Sequence, residues 1–383
     1  MDISVFFKPL ATESFLSKVA GIAQNTKFHS NAFPDLEGVH LAIVGVMAEN
    51  GARHNTGCAD AVKKFREKFY KLSSPSADLK IADLGDIAEG ASPEDTAFAI
   101  RETCLFLLKN KIIPIVIGGS QDHTYAMYTA FEHLEQTVNL VTVDHRLDVG
   151  ELKDLRDSEN YLSHIILHQP NFLFNYSNIG HQRSIVSADL IDLMDKMFFD
   201  LYRLGDVSGN IHDMEPVIRN ADIFSFDFSA IRASDAPGNA KAGPNGLFAQ
   251  EACQLCRQAG MSDKLSLAGF FEYNPHLDER GINAQLLAEM VWYFIEGYVL
   301  RKGDYPNCDT SAYTRYIVDL DQHQLVFYKS DRSDRWWMDV PYPSGTYNKY
   351  ERHHLVPCTY KDYQMATNED LPDRWWRTYQ KLV

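Results

Sequence analysis

The stretch that decides the fold is IIPIVIGGSQDHT, residues 112–124. A short, β-branched apolar run ends on a Gly pair and passes into a polar segment that opens the next helix. Continuous apolar character, rather than strict alternation, marks a strand covered on both faces, as in a parallel sheet. The same reading extends outward to HLAIVGV (40–46), KIADLGD (80–86), VNLVTVD (138–144), DIFSFDF (222–228) and LSLAGFFE (265–272). Helical spacing fills the intervals: PEDTAFAIRETCLFLLKN (93–110), SADLIDLMDKMFFDLYRL (187–204) and INAQLLAEMVWYFIEGYVLRK (282–302). Alternating β and α elements imply crossover connections. The expected fold is therefore a three-layer αβα, doubly wound, mostly parallel sheet.

This rhythm stops near residue 303, which sets the expected organisation as an α/β domain over 1–302 and an aromatic-rich extension over 303–383. The extension holds DRWW at 334–337 and again at 373–376, four of the five tryptophans. They are expected to clamp the extension onto the core or to line an oligomer surface.

Composition narrows the function. Of 383 residues, 37 are Lys or Arg and 52 are Asp or Glu, a formal charge of −15 that disfavours binding to phosphate backbones. The N-terminal MDISVFFKPLATESF lacks a secretory pattern, and no apolar run approaches the ~20 residues of a membrane span. Six scattered cysteines at 58, 104, 253, 256, 308 and 358 read as reduced thiols. The Cys253–Cys256 pair reads as small apolar residues on one helix face. A cytoplasmic protein with no membrane or nucleic-acid partner is expected. Phosphate-loop, dinucleotide and G-x-S-x-G signatures are absent.

In a doubly wound sheet the ligand crevice lies beyond the carboxyl ends of the strands. At those ends stand His123, Asp144, Asp148, Asp227 and Glu272. Converging carboxylates require an offsetting cation, and an oxygen-rich set with one imidazole suits Mn²⁺.

Six segments in order resemble the ureohydrolase superfamily of arginases, agmatinases and formimidoylglutamases: RHNTGCADAVKKFR (53–66), DLGD (83–86), GGSQDHT (118–124), DHRLD (144–148), SFDFSAIRASDAPG (225–238) and FEYNPHLD (271–278). The resemblance covers roughly residues 40–302. It implies an arginase-like fold, commonly assembled as a homo-oligomer, and hydrolysis of linear guanidino or formimino C–N bonds by a binuclear Mn²⁺ centre. It also implies that Glu272 pairs with the substrate's amidino group and that His164 shuttles protons.

The departures are in the metal set. The family's second-metal His position in D-A-H-x-D is Arg146, the second Asp of D-x-D is Ser229, and the Asp of D-P is Arg232. The surviving first-metal set is His123, Asp144, Asp148 and Asp227, with Asp148 also at the chemistry. GGSQDHT is two residues longer than the family loop, so either His123 or Gln121 takes the first ligand position. The reading adopted is His123. The intact family site carries one net negative charge. Three Asp with Arg146 and one divalent ion come to zero, and with no ion but both Arg146 and Arg232 turned inward the sum is again one negative. At most one Mn²⁺ is therefore expected, with Arg146 beside the substrate. That favours an anionic substrate such as formimidoylglutamate over arginine or agmatine. The alternative is a catalytically silent, metal-depleted member serving as a binding or assembly protein.

Overall fold

The computed structural model describes residues 2–16, 20–152, 155–306, 310–320, 323–343 and 350–383. Cys308 lies outside them. The sheet strands are β1 (Phe7–Lys8), β2 (Thr26–Phe28), β3 (Leu41–Met47), β4 (Ile81–Ala88), β5 (Ile113–Ile117), β6 (Val138–Val143), β7 (Leu173–His181), β8 (Asp200–Arg203), β9 (Ile223–Asp227) and β10 (Leu267–Phe271). Their order is β1-β4-β3-β5-β10-β9-β6-β7-β8, with β2 also on β4; apart from β1 the pairings are parallel. The expected mostly parallel, doubly wound sheet is what forms.

Two apolar layers flank it. One face packs against α1 (Ala61–Phe69), α6 (Leu204–Ser208), α7 (Glu215–Arg219), α8 (Ala249–Gly260) and α9 (Ile282–Val299) through Phe65, Val207, Ile218, Leu255 and Leu287. The other packs against α2 (Pro93–Lys109), α3 (His123–Glu132), α4 (Tyr161–Ile166) and α5 (Ala188–Lys196) through Ile100, Met127, Leu162 and Met194. Ser92 caps α2 in a reciprocal box with Asp95, and Pro93 follows at the first helical position, so sequence and backbone agree on that start. The DLGD segment is structural: buried Arg66 grips Asp83 through two nitrogens at 2.8 and 2.9 Å and Asp86 at 2.7 Å, tying α1 to β4.

One expected helix is broken. The pattern over 187–204 ends at Lys196; Phe198 turns into the left-handed region and 200–203 becomes the edge strand β8. Its apolar residues serve both periods, and pairing with β7 decides between them.

The extension forms a second, antiparallel sheet of β11 (Tyr313–Leu320), β12 (His323–Ser330), β13 (Trp336–Asp339) and β14 (Leu355–Cys358), covered by α10 (Tyr360–Thr367) and α11 (Asp373–Leu382). Trp336, Trp337 and Trp375 are buried, whereas Trp376 is 42% exposed. This layer sits at the amino ends of the central strands. His353 stacks on Phe174 and bonds Thr137, Arg352 pairs with Asp222, and Lys381 donates to Asn175. His353, within ERHH (351–354), is buried. Arg219 stacks on Trp337 and donates to the carbonyls of Trp336 and Cys358, closing the seam. The opposite, carboxyl rim stays open. Among the described residues no helix is long and apolar enough to cross a membrane.

Candidate functional site

The open rim begins with the turn after β5. Gly119 has a φ of +70°, and a Cβ there would lie 2.2 Å from the Ala48 carbonyl oxygen, so only Gly fits. The turn sends two side chains in different directions. Gln121, completely buried, enters the space between the ends of β6 and β9. His123, two residues on, opens α3; its Nε2 lies 3.1 Å from the Ala48 carbonyl and its ring meets the edge of Phe271.

Asp144 directly follows β6, Asp148 lies in the loop beyond it, and Asp227 ends β9. One oxygen of each converges on Gln121. With the amide oriented to satisfy its surroundings, the nitrogen donates to Asp144 Oδ2 at 3.0 Å, Asp227 Oδ2 at 2.9 Å and Asp148 Oδ2 at 3.3 Å, while Tyr161 donates to the amide oxygen at 3.2 Å. The other oxygens are also engaged. Asp144 Oδ1 accepts from the Arg146 backbone at 2.9 Å and faces His145 Nδ1 at 3.2 Å; Asp227 Oδ1 accepts from the Ser229 backbone at 2.6 Å.

Thus the three expected carboxylates come together, but His123 stays outside and Gln121 stands at their centre. The physical reason is the close Gly119 turn, which needs no gap: the loop carries Gln121 directly to the rim and leaves His123 to anchor α3.

The cations also differ from expectation. Arg232 pairs with Asp235 at 2.9 Å and lies over the Phe248 ring, and Arg146 lines the cleft wall with its side chain 41% exposed. Neither guanidinium turns into the trio. The ammonium that faces the cluster belongs to Lys241, nearly buried and donating to Ser158 at 3.2 Å. Burial opposes its charge, but Glu272, Asp227, Asp148 and Glu159 outweigh that and raise its pKa. Beside the trio, His145 Nδ1 lies 2.7 Å from Ser229 Oγ.

Charge is distributed unevenly in the trio. Burial pushes Asp148 well above the usual carboxylate range, and the Asp144 charge adds to this. Asp227 is pushed up to about 6 by burial and by Asp144. Asp144 is also buried, but hydrogen bonding to His145 and Asp148 overcomes burial and holds it low. Burial and the neighbouring charge thus favour the protonated form at Asp148 and the charged form at Asp144.

Glu272 follows β10 with a φ of +66°, a conformation that costs a non-Gly residue on the order of 1–3 kcal/mol. It is held there by Asn55, which donates to Glu272 Oε2 at 2.8 Å and to its carbonyl at 3.0 Å, and by Asn239 on the same carbonyl at 2.7 Å. Burial, then the Asp227 charge, raises its pKa to about 8. His164 lies elsewhere on the rim, its ring edge-on to Tyr125, and burial with nearby Arg156 lowers its pKa.

A cleft of about 380 Å³ leads in from solvent, lined by Arg53, Arg146, Asp148, Glu159 and Asn160 among others. Asp148 is the member of the trio that reaches it. Sequence reasoning missed His145, Lys241, Tyr161 and the two asparagines. Asn55 lies within a quoted motif, whereas nothing in the sequence marks Lys241. Among the described residues, no group of three or more His, Cys, Asp or Glu is arranged to hold a metal ion.

Residues 39–296 match the arginase-family model. A Staphylococcus aureus (strain Newman) formimidoylglutamase is 25% identical over 270 residues, covering 67% of this chain and 86% of its own. A Citrobacter koseri formimidoylglutamase is 21% identical over 277 residues, 69% and 88% of the two chains. Among solved structures, Trypanosoma cruzi formiminoglutamase with Mn²⁺ superposes with a TM-score of 0.65 at 22% identity, over 77% of this chain and all of that one. Bacillus subtilis formimidoylglutamase gives 0.65 at 19% identity, over 74% and 94%.

Proposed function

This chain belongs to the arginase family, and on that premise we propose that it is a metal-depleted member that binds a small formimino- or guanidino-type ligand without hydrolysing it on manganese. The observation that carries this reading is the Gln121 carboxamide seated among Asp144, Asp148 and Asp227. Manganese is characteristic of the family, and the donors present do not suit it. An ion at the meeting point of the three carboxylates would have to displace an amide nitrogen that bonds all of them. A second ion would find Arg146 and Ser229 where the family supplies an imidazole and a carboxylate. His145 does face that position, but its Nδ1 is already within hydrogen-bonding distance of Ser229 and Asp144.

What remains suits binding. Glu272, where the family resemblance puts a ligand-pairing carboxyl, is buried on a strained backbone, its Oε2 accepting from Asn55 and its Oε1 from the Gln121 N–H. A cytoplasmic protein, self-associated as the family commonly is, fits the same reading.

The rival reading is formimidoylglutamate hydrolysis on one Mn²⁺. The curated relatives' names favour it, and so does the survival of three converging aspartates. It requires the Gln121 amide to turn its oxygen inward. The experiment is metal content by mass spectrometry on protein purified without chelator, together with formamide or urea release under added Mn²⁺. Formimidoylglutamate, arginine and agmatine serve as substrates and Asp144→Ala as the blank. The expected result is substoichiometric metal and no release above the blank. Bound Mn²⁺ with release from formimidoylglutamate would establish the rival.

A further inference from the structure

We propose that the extension pairs this chain with a second copy of itself: the outer edge of its sheet, strand β11, joins β11 of the second copy antiparallel, across a two-fold axis at Ile317. β11 ends the strand order β11-β12-β13-β14, and no strand lies beyond it among the described residues. Its register with β12 runs through eight pairs without a bulge, and YTRYIVDL holds no Pro or Gly, so nothing in the backbone blunts the edge. The hydrogen bonds fix which groups face outward. The Asp331 N–H donates back to the Ala312 carbonyl at 3.2 Å, whereas the Ser330 N–H is turned the other way, to the Arg335 carbonyl just before β13 at 2.9 Å. Antiparallel ladders alternate, so the even-numbered residues of β11 face β12. The N–H and C=O groups of Arg315, Ile317 and Asp319 point away from the sheet.

The side chains decide the partner. Arg315, Ile317 and Asp319 share one face of the strand and all are exposed. Two-fold pairing about Ile317 sets Arg315 opposite Asp319 of the second copy, Ile317 opposite its own equivalent, and Asp319 opposite Arg315. Each of these odd-numbered pairs exchanges both of its backbone hydrogen bonds. On the other face half-buried Tyr316 meets Val318, and Val318 meets Tyr316. Opposite charges, and an aromatic ring against a β-branched residue, are both favourable cross-strand pairs. Centring the axis on Arg315 or on Asp319 would instead oppose like charges. Gln324, across on β12, donates to Asp319 Oδ1 at 2.9 Å and steadies the carboxylate on this face. A strand whose charges read as each other's complement under a two-fold axis fits a second copy rather than an arbitrary peptide. The extension lies at the amino ends of the central strands, so this pairing leaves the carboxyl rim of both copies open. It stands whether or not the rim binds metal.

The test is sedimentation velocity of the full chain over a concentration series, with amide exchange followed by mass spectrometry on the same samples. The particle mass should double along the series, and peptides from β11 should gain protection as it does. Arg315→Asp and Asp319→Arg each turn two attractive pairs into repulsive ones and should weaken the pairing about tenfold or more. An equimolar mixture of these two variants should associate again, because every charged pair across the mixed interface is then Asp against Arg. The double variant, with the two charges exchanged, should associate on its own for the same reason. Damage to the strand would not be repaired by mixing, so restoration identifies the pairing itself. Association that both reversals leave unchanged would run through another surface and overturn the proposal. So would a wild-type chain of constant mass with β11 unprotected, or a mixture no heavier than its two components.

Discussion

Replacing Gln121 with Glu changes one atom group and almost no volume, yet it should strike the centre of the rim. The wild-type nitrogen lies 2.9–3.3 Å from three carboxyl oxygens. Hydrogen bonds to charged groups contribute about 1.5–3 kcal/mol each. Because two protons serve three acceptors, the set is counted as two bonds, which gives about 3–6 kcal/mol. In Gln121→Glu a carboxylate takes the donor's place and must either stay charged beside Asp144 and Asp227 or take up a proton. Breaking a buried pairing in this way costs about 3–5 kcal/mol, the same range. For 383 residues the unfolding entropy is roughly 0.8 kcal/mol per kelvin. The melting temperature at pH 7 should therefore fall by about 4–6 °C. A carboxyl whose folded pKa is raised destabilises most at high pH, so the deficit should shrink as pH falls toward 5 and the new acid regains an O–H donor. Four carboxyls in place of three and an amide should also create a cation site. Mn²⁺ should raise the melting temperature of Gln121→Glu but not that of wild type. Scanning calorimetry across pH, with and without Mn²⁺, measures all of this. A variant as stable as wild type at pH 7 would show that the amide does not bond the trio.

Glu272→Gln tests the buried carboxyl at the other end of the rim. With a folded value of about 8 against an ordinary value near 4.5, Glu272 contributes stability that is full below about pH 4.5 and lost as pH rises to 8. The Gln variant should flatten the stability profile across that window in denaturant titrations. Chelator treatment should leave the wild-type melting curve unmoved, and a drop on adding EDTA would contradict the non-metal rim. Arg219→Met removes the donors to the Trp336 and Cys358 carbonyls and leaves Glu215 to Arg335 alone. It should cost about 1–3 kcal/mol and speed amide exchange in β13 and β14, read by mass spectrometry. Arg66→Lys gives up the two-nitrogen grip on Asp83 and should lose about 1.5–3 kcal/mol, measured by urea unfolding.

What the sequence conveyed was whatever is local or periodic. Strands buried on both faces, such as Ile113–Ile117 and Val138–Val143, announce themselves because every position must be apolar. β7 escaped notice because its Asn175, Ser177 and Asn178 are buried by hydrogen bonding rather than by apolar contact. The antiparallel sheet of the extension was missed for a different reason. Its strand Tyr313–Leu320 alternates between half-buried and exposed, a period-2 signal hidden by the search for βα units. The three aspartates were legible at strand ends. The choice between Gln121 and His123 was not, because a Gly-Gly turn permits both registers and only the packing of the two side chains separates them. Lys241 reaches the cluster from a long loop, and a single Lys in a loop carries no spacing to read.

The amide at the heart of the rim has a consequence for how this protein meets changing surroundings. A centre built on captured ions is complete only when the cell can provide them. Here the element that draws the three acids together is part of the polypeptide and arrives with translation. On the proposed metal-depleted reading, the pocket above it keeps its shape through manganese starvation, its rim answering to acidity rather than to metal supply.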